Sequence, residues 1–193
     1  MRIVGGKHKR RALQTPRDRA IRPTSDRARE AIFNLLAHGP AVAQTGFSID
    51  GSTVLDAFCG TGALGLEALS RGAAAATFLD SDQAALDLAR ANAEALGETL
   101  HARFLRVDAS DPPPAPSAHS LVLLDPPYGK GLARPALTAL AAEGWFAPGA
   151  IIVLEQATGE DMEAPPGVTL IEQRRYGAAD LVILSFGAAS PDE

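Results

Sequence analysis

The stretch Asp56-Ala57-Phe58-Cys59-Gly60-Thr61-Gly62-Ala63-Leu64-Gly65 restricts the possible folds of this chain more than any other. The apolar run Thr53–Phe58 leads into it and reads as a strand, while Gly62–Arg71 leaves it and reads as a helix. Gly60, Gly62 and Gly65 satisfy the spacing G-x-G-x-x-G. Glycines there let the backbone come close to a ligand, and the helix start behind them offers unpaired N–H groups. A strand feeding such a turn and then a helix belongs in a βαβ unit.

The rest of the chain repeats that alternation. Ala75–Asp80, Arg103–Asp108, Leu121–Asp125 and Ala150–Glu155 read as further strands, with helices predicted over Gln83–Leu96 and Leu132–Glu143. Leu121–Asp125 is almost wholly apolar, as a strand buried on both faces should be. Val168–Arg174 and Asp180–Phe186 suit a C-terminal antiparallel hairpin. The Pro-rich segment Asp111–Ser117 cannot lie inside a helix and is expected as a loop. Thr158–Gly167 is a second loop, and residues 188–193 are expected as a flexible tail. The pattern predicts an α/β fold with a mostly parallel central sheet and helices on both faces. In a chain of 193 residues, one such domain over 39–187 is expected, preceded by a distinct N-terminal segment.

Charge sets that segment apart. Residues 1–38 carry a net +7 and the remainder −12, which together give the whole-chain −5. Arg2–Leu13 is expected as a small hairpin or extended arm around Gly5-Gly6. Arg22–His38 holds a helix that Thr24 or Ser25 can cap, with an apolar stripe of Ala28, Ala31, Ile32, Leu35 and Leu36. A basic arm on an acidic body suggests a nucleic-acid partner for the arm. Its candidate contacts are Lys7, Lys9, Arg10, Arg11, Arg22, Arg27 and Arg29. Arg22, Arg27 and Arg29 stand at the helix start, a plausible phosphate corner.

Several classes fall away. A lone cysteine, Cys59, excludes a disulfide framework and any multi-cysteine zinc site. The four histidines show no metal-ligand spacing, and no metal is expected. No apolar run approaches a membrane span, and no signal peptide opens the chain, so a cytoplasmic protein is expected.

The glycine loop points to a ribose-bearing cofactor. Asp80 ends the next strand, where a carboxylate can accept from both ribose hydroxyls. Asp108 ends the third strand and can hold an adenine amino group. Asp56 precedes the glycines, a poor place to face a pyrophosphate and a good one to face the ammonium of S-adenosylmethionine. NAD is therefore disfavoured. The candidate cofactor residues are Asp56, Phe58, Gly60, Gly62, Asp80, Ser81, Asp108 and Ala109. Cys59 has no basic neighbour in the sequence to lower its pKa and reads as a small packing residue.

The fourth strand ends in Asp125-Pro126-Pro127-Tyr128. Open α/β sheets bind ligands beyond the C-terminal strand ends, so this motif should share the glycine loop's crevice. Asp125 and the Pro126 carbonyl can accept both hydrogens of an exocyclic amine. That localises the nitrogen lone pair toward a sulfonium methyl. Tyr128 offers a stacking face. Positioning and electrostatics then carry methyl transfer, with S-adenosylhomocysteine as the product. The candidate catalytic set is Asp125, Pro126, Pro127 and Tyr128.

Taken together, DAFCGTGALGLEALSRGA and DPPYGKGL resemble the bacterial RsmD-type small-subunit rRNA guanine-N2 methyltransferases. RIVGGKHKRRAL and RPTSDRAREAIFNLL are also similar to that family's opening segments, and the resemblance spans residues 1–186. It implies a class I S-adenosylmethionine-dependent methyltransferase of Rossmann-like architecture, with an antiparallel C-terminal hairpin and a basic N-terminal extension. It further implies methylation of N2 of guanine 966 in 16S rRNA within the small ribosomal subunit. Asp56, Gly60, Gly62, Asp80 and Asp108 match the family's cofactor positions, and Asp125, Pro126 and Tyr128 its catalytic ones. Relatives often carry Glu where Asp80 stands, and either acid can bind ribose hydroxyls. Two other readings stay open: a DNA adenine-N6 methyltransferase, which lacks room here for a target-recognition domain, and a non-catalytic nucleotide-binding ribosome-assembly factor. A monomer is expected.

Overall fold

The computed structural model describes residues 1–16, 26–160, 163–177 and 179–187. Arg22, the capping candidates Thr24 and Ser25, and the tail 188–193 lie outside the described residues. In chain order the elements are α1 (Asp26–His38), α2 (Pro40–Ala43), β1 (Thr53–Ala57), α3 (Ala63–Ser70), β2 (Ala75–Asp80) and α4 (Gln83–Leu96). There follow β3 (Ala102–Arg106), β4 (His119–Leu124), α5 (Ala133–Ala142), β5 (Phe146–Ala157), β6 (Val168–Tyr176) and β7 (Ala179–Phe186).

The strands form a single sheet in the order β3-β2-β1-β4-β5-β7-β6. The pairings from β3 to β5 are parallel, and β7 pairs antiparallel with both β5 and β6. The predicted hairpin therefore forms, but its second strand is the inner one. After β1 the chain runs outward to β2 and β3, then returns to place β4 on β1's other side. That reversal opens a crevice beyond the C-terminal ends of β1 and β4.

Side chains of successive strand residues point to opposite faces, so the sheet carries two cores. Leu121, Leu123, Ile151 and Val153 pack with α1, α3 and α4 on one face. Val122, Leu124, Ile152 and Leu154 pack with α5, Trp145 and Phe146 on the other. Every residue of α3 is buried. It is wedged between the sheet and the N-terminal segment, which is why its sequence is apolar nearly all round. Strand β5 starts at Phe146, earlier than its apolar run, because Phe146 pairs with His119 ahead of a register irregularity.

Residues 1–13 double back on themselves. Ile3 N–H donates to Arg11 O at 2.9 Å, Leu13 N–H to Met1 O at 3.1 Å, and Arg2 bridges Ala12. Ile3 and Leu13 are buried in the first core beside Ile32 and Phe33. Backbone groups of the hairpin also bond the end of α3. Val4 N–H donates to Glu67 Oε2 at 2.8 Å, Lys7 N–H to Ser70 O at 2.7 Å, and Ser70 Oγ to Gly5 O at 2.6 Å. That end of α3 lies by the N-terminal edge of β1, where Gly51 N–H donates to Gly72 O. The hairpin tip thus sits at the sheet edge opposite the crevice.

Candidate active site

The loop between β1 and α3 is held by close packing. A methyl group on Gly65 would lie 2.5 Å from the Phe78 ring, so only glycine lets α3 settle on β2. This contact brings the Gly65 N–H within 2.8 Å of Asp56 Oδ2. Phe58 adopts a φ of +61°, an outlier for so bulky a residue, which stores about 1–3 kcal/mol of strain in the loop. Gly60 has open space where a Cβ would stand, and its N–H donates to Asp80 Oδ2 at 3.0 Å.

Asp56 is buried at the crevice floor. Burial pushes its carboxyl well above the usual range, against the pull of the Gly65 N–H, and the charges of Asp125 and Asp80 push it further. Three carboxylates therefore feel one another across one mouth. A cationic ligand relieves that repulsion, whereas an anionic pyrophosphate adds to it. Asp80 Oδ1 accepts from Asp82 N–H at 2.9 Å, and Ser81 is exposed beside it. Asp108 is exposed, and hydrogen bonds from the Ser110 hydroxyl and N–H hold its carboxyl below the usual value. Ala109 is buried next to it. The Cys59 thiol is driven up by burial first and then by Asp56 and Asp80, which leaves it a packing residue and no nucleophile.

Beyond β4, Asp125 is half-buried, Pro126 is buried, and Pro127 and Tyr128 are exposed. The Tyr128 hydroxyl donates to Glu155 Oε1 at 2.5 Å. Glu155, buried at 6% exposure on β5, is a site residue that sequence reasoning missed. Its signal was present: a carboxylate closing an otherwise apolar strand. Leu124 pairs with Leu154, so Asp125 and Glu155 follow side by side at the crevice edge.

The basic candidates separate. Lys9 and Arg10 are exposed at the hairpin tip, and Arg27 is exposed on α1. Lys7 pairs with Glu98 at 2.7 Å, and Arg11 donates to Ala95 O at the end of α4 at 2.5 Å. Arg29 departs from the expectation of a surface phosphate ligand. Its side chain is fully buried and donates to Arg2 O at 2.7 Å and Asp26 Oδ1 at 2.6 Å. Helical periodicity explains it, because residue 29 shares a face with Ile32, Phe33 and Leu36.

Among the described residues, no helix is long and apolar enough to cross a membrane. Residues 1–185 match the family described as conserved hypothetical protein 95. The chain is 36% identical over 167 residues to ribosomal RNA small subunit methyltransferase D of Escherichia coli K12, covering 86% of this chain and 79% of that protein. It is 32% identical over 183 residues to the protein of the same name from Haemophilus influenzae, covering 92% and 89%. The solved structure of Escherichia coli yhhF superposes with a TM-score of 0.80 at 32% identity, covering 97% of this chain and 98% of that one. The sheet order, the crevice at the β1/β4 reversal and these likenesses agree on one fold, and the chain belongs to the conserved hypothetical protein 95 family, the RsmD-type group of class I methyltransferases.

Proposed function

We propose that this protein methylates the exocyclic N2 of a guanine in small-subunit ribosomal RNA, using S-adenosylmethionine. The observation that carries the reading is the juxtaposition, at one topological reversal, of the glycine loop after β1 with Asp125-Pro126-Pro127-Tyr128 after β4. When bound, S-adenosylmethionine supplies an electrophilic methyl group on a sulfonium. Gly60 leaves the room, Asp80 is placed for ribose hydroxyls, and Asp108 for a base amino group. Asp56 shapes the loop through Gly65 and contributes negative charge that suits a cation.

The chain's own part in the chemistry is positioning. Asp125 and the Pro126 carbonyl accept the two N2 hydrogens, which localises the lone pair of a weakly nucleophilic amine. Asp125 also stabilises the positive charge that builds on nitrogen. Tyr128 offers its ring to a base splayed out of an RNA loop. The names of the relatives support ribosomal RNA of the small subunit as the substrate. The family resemblance supports guanine 966 as the target.

Incubation with small subunits from a strain lacking the modification, followed by mass mapping of the RNA, tests the reading. One added methyl on a guanine is expected. Methyl transfer to adenine in duplex DNA instead, or to neither, overturns it.

A further inference from the structure

The same sheet edge carries a second feature that the catalytic reading does not use. A cleft of about 390 Å³ opens between α1 and the end of β6, lined by Arg27, Glu30, Asn34, His38, Arg174 and Tyr176 among others. All six of these are exposed. Strand register fixes where the cleft lies relative to the crevice. Asp125 follows Leu124, which pairs with Leu154; Glu155 pairs with Leu181, and Leu181 pairs with Arg174. Asp125, Glu155 and Arg174 therefore stand at one level on one edge. Three strand spacings, roughly 14 Å, separate β4 from β6. Arg174 and Tyr176 alternate onto the face that α1 covers, so the row of site residues runs directly into the cleft.

We propose that this cleft binds the single-stranded RNA that flanks the target guanine. The inference rests on the RNA methyltransferase reading and deepens it. The lining suits an unpaired RNA strand: guanidinium groups for phosphate, a tyrosine face for stacking, and Asn34 and His38 for base edges. Glu172 pairs with Arg174 through its Nε and leaves the terminal guanidinium nitrogens to donate. Glu30 is the acidic member of the lining. The hairpin tip, at the opposite edge, cannot touch the nucleotides next to the flipped base. The cleft can.

The test compares wild type with R27A/R174A, Y176A and Y176F, using small subunits that lack the modification. Subunit binding is measured apart from turnover, and S-adenosylhomocysteine affinity reports an intact fold. R27A/R174A and Y176A should each weaken subunit binding about tenfold. R27A/R174A should also lower the salt slope by about one to two. Y176F should bind as wild type, and all variants should keep cofactor affinity. If R27A/R174A loses cofactor affinity, R27Q and R174Q singly carry the test. Wild-type affinity and salt slope in the arginine and Y176A variants overturn the cleft proposal. Wild-type protein that binds subunits through the cleft yet adds no methyl overturns the catalytic reading instead.

Discussion

In the proposed reaction Asp125 is one of two acceptors for the amine, and replacing it with alanine leaves the glycine loop untouched. The expected result is loss of at least 100-fold in turnover, on the order of what a preorganised electrostatic group supplies. Binding of S-adenosylhomocysteine should persist, and calorimetry beside a methyl-transfer assay checks both. The Tyr128–Glu155 hydrogen bond holds the ring of the turn after β4. E155A and Y128F should raise KM for subunits alike, and the double variant should add nothing further, as expected for residues acting through one contact. E155Q, which retains an acceptor, should recover most of the loss. Gly65→Ala forces a methyl group against the Phe78 ring and should cost about 1–3 kcal/mol in denaturant unfolding. Motif and spacing single out Asp125 and Gly60 in the sequence, and the fold brings both to the crevice beyond β1 and β4. Arg29 and Glu155 were not legible, since their roles depend on which distant residues surround them.

Besides its apolar and backbone contacts, the N-terminal hairpin is tied to the body at the Glu98 carboxylate. Glu98, 2% exposed at its side chain, accepts from His8 Nε2 at 2.5 Å, Lys7 Nζ at 2.7 Å and His101 Nδ1 at 3.0 Å. Burial alone would raise its carboxyl; the hydrogen bonds and charges of Lys7 and His8 outweigh that and hold it below the usual 4.5. A depressed carboxylate stabilises the fold above its unfolded value and loses that share as pH falls through the folded one. His119 acts in a higher window. Burial lowers its imidazole below the usual 6.5, so its share is present above that value and declines as pH drops beneath it. Urea midpoints should therefore fall in two stages, below about pH 6.5 and again below about pH 4.5, and E98Q should shrink the lower one, to which Asp108 also contributes. Hydrogen exchange over residues 1–14 should accelerate in E98Q while the sheet stays protected. At this scale the sequence was legible where caps mark the ends. Asp82 accepts from Ala84 N–H and Gly97 closes α4 with a φ of +77°, and α4 has its expected bounds. Strand β5 was misjudged because Pro148 and Gly149 argue against a strand, and only pairing with His119 makes one.

The charge asymmetry of the whole molecule is spread over both sheet edges, with Lys9 and Arg10 at one and Arg27 and Arg174 at the other. K9A/R10A should therefore weaken subunit binding and flatten its salt dependence by about two, leaving cofactor affinity intact. Filter binding between low and high salt checks this, and an unchanged slope would remove the tip from the RNA contact. The alternation of strands and helices revealed the layers of the fold, but the order of the last two strands depends on which edge of β5 stays open. The chain fills that edge with β7, the last strand among the described residues, and leaves β6 outermost. The consequence concerns synthesis. Until Ala179–Phe186 emerges, β5 presents a bare row of amides and carbonyls. A stalled or truncated product that lacks β7 therefore exposes a template for aggregation.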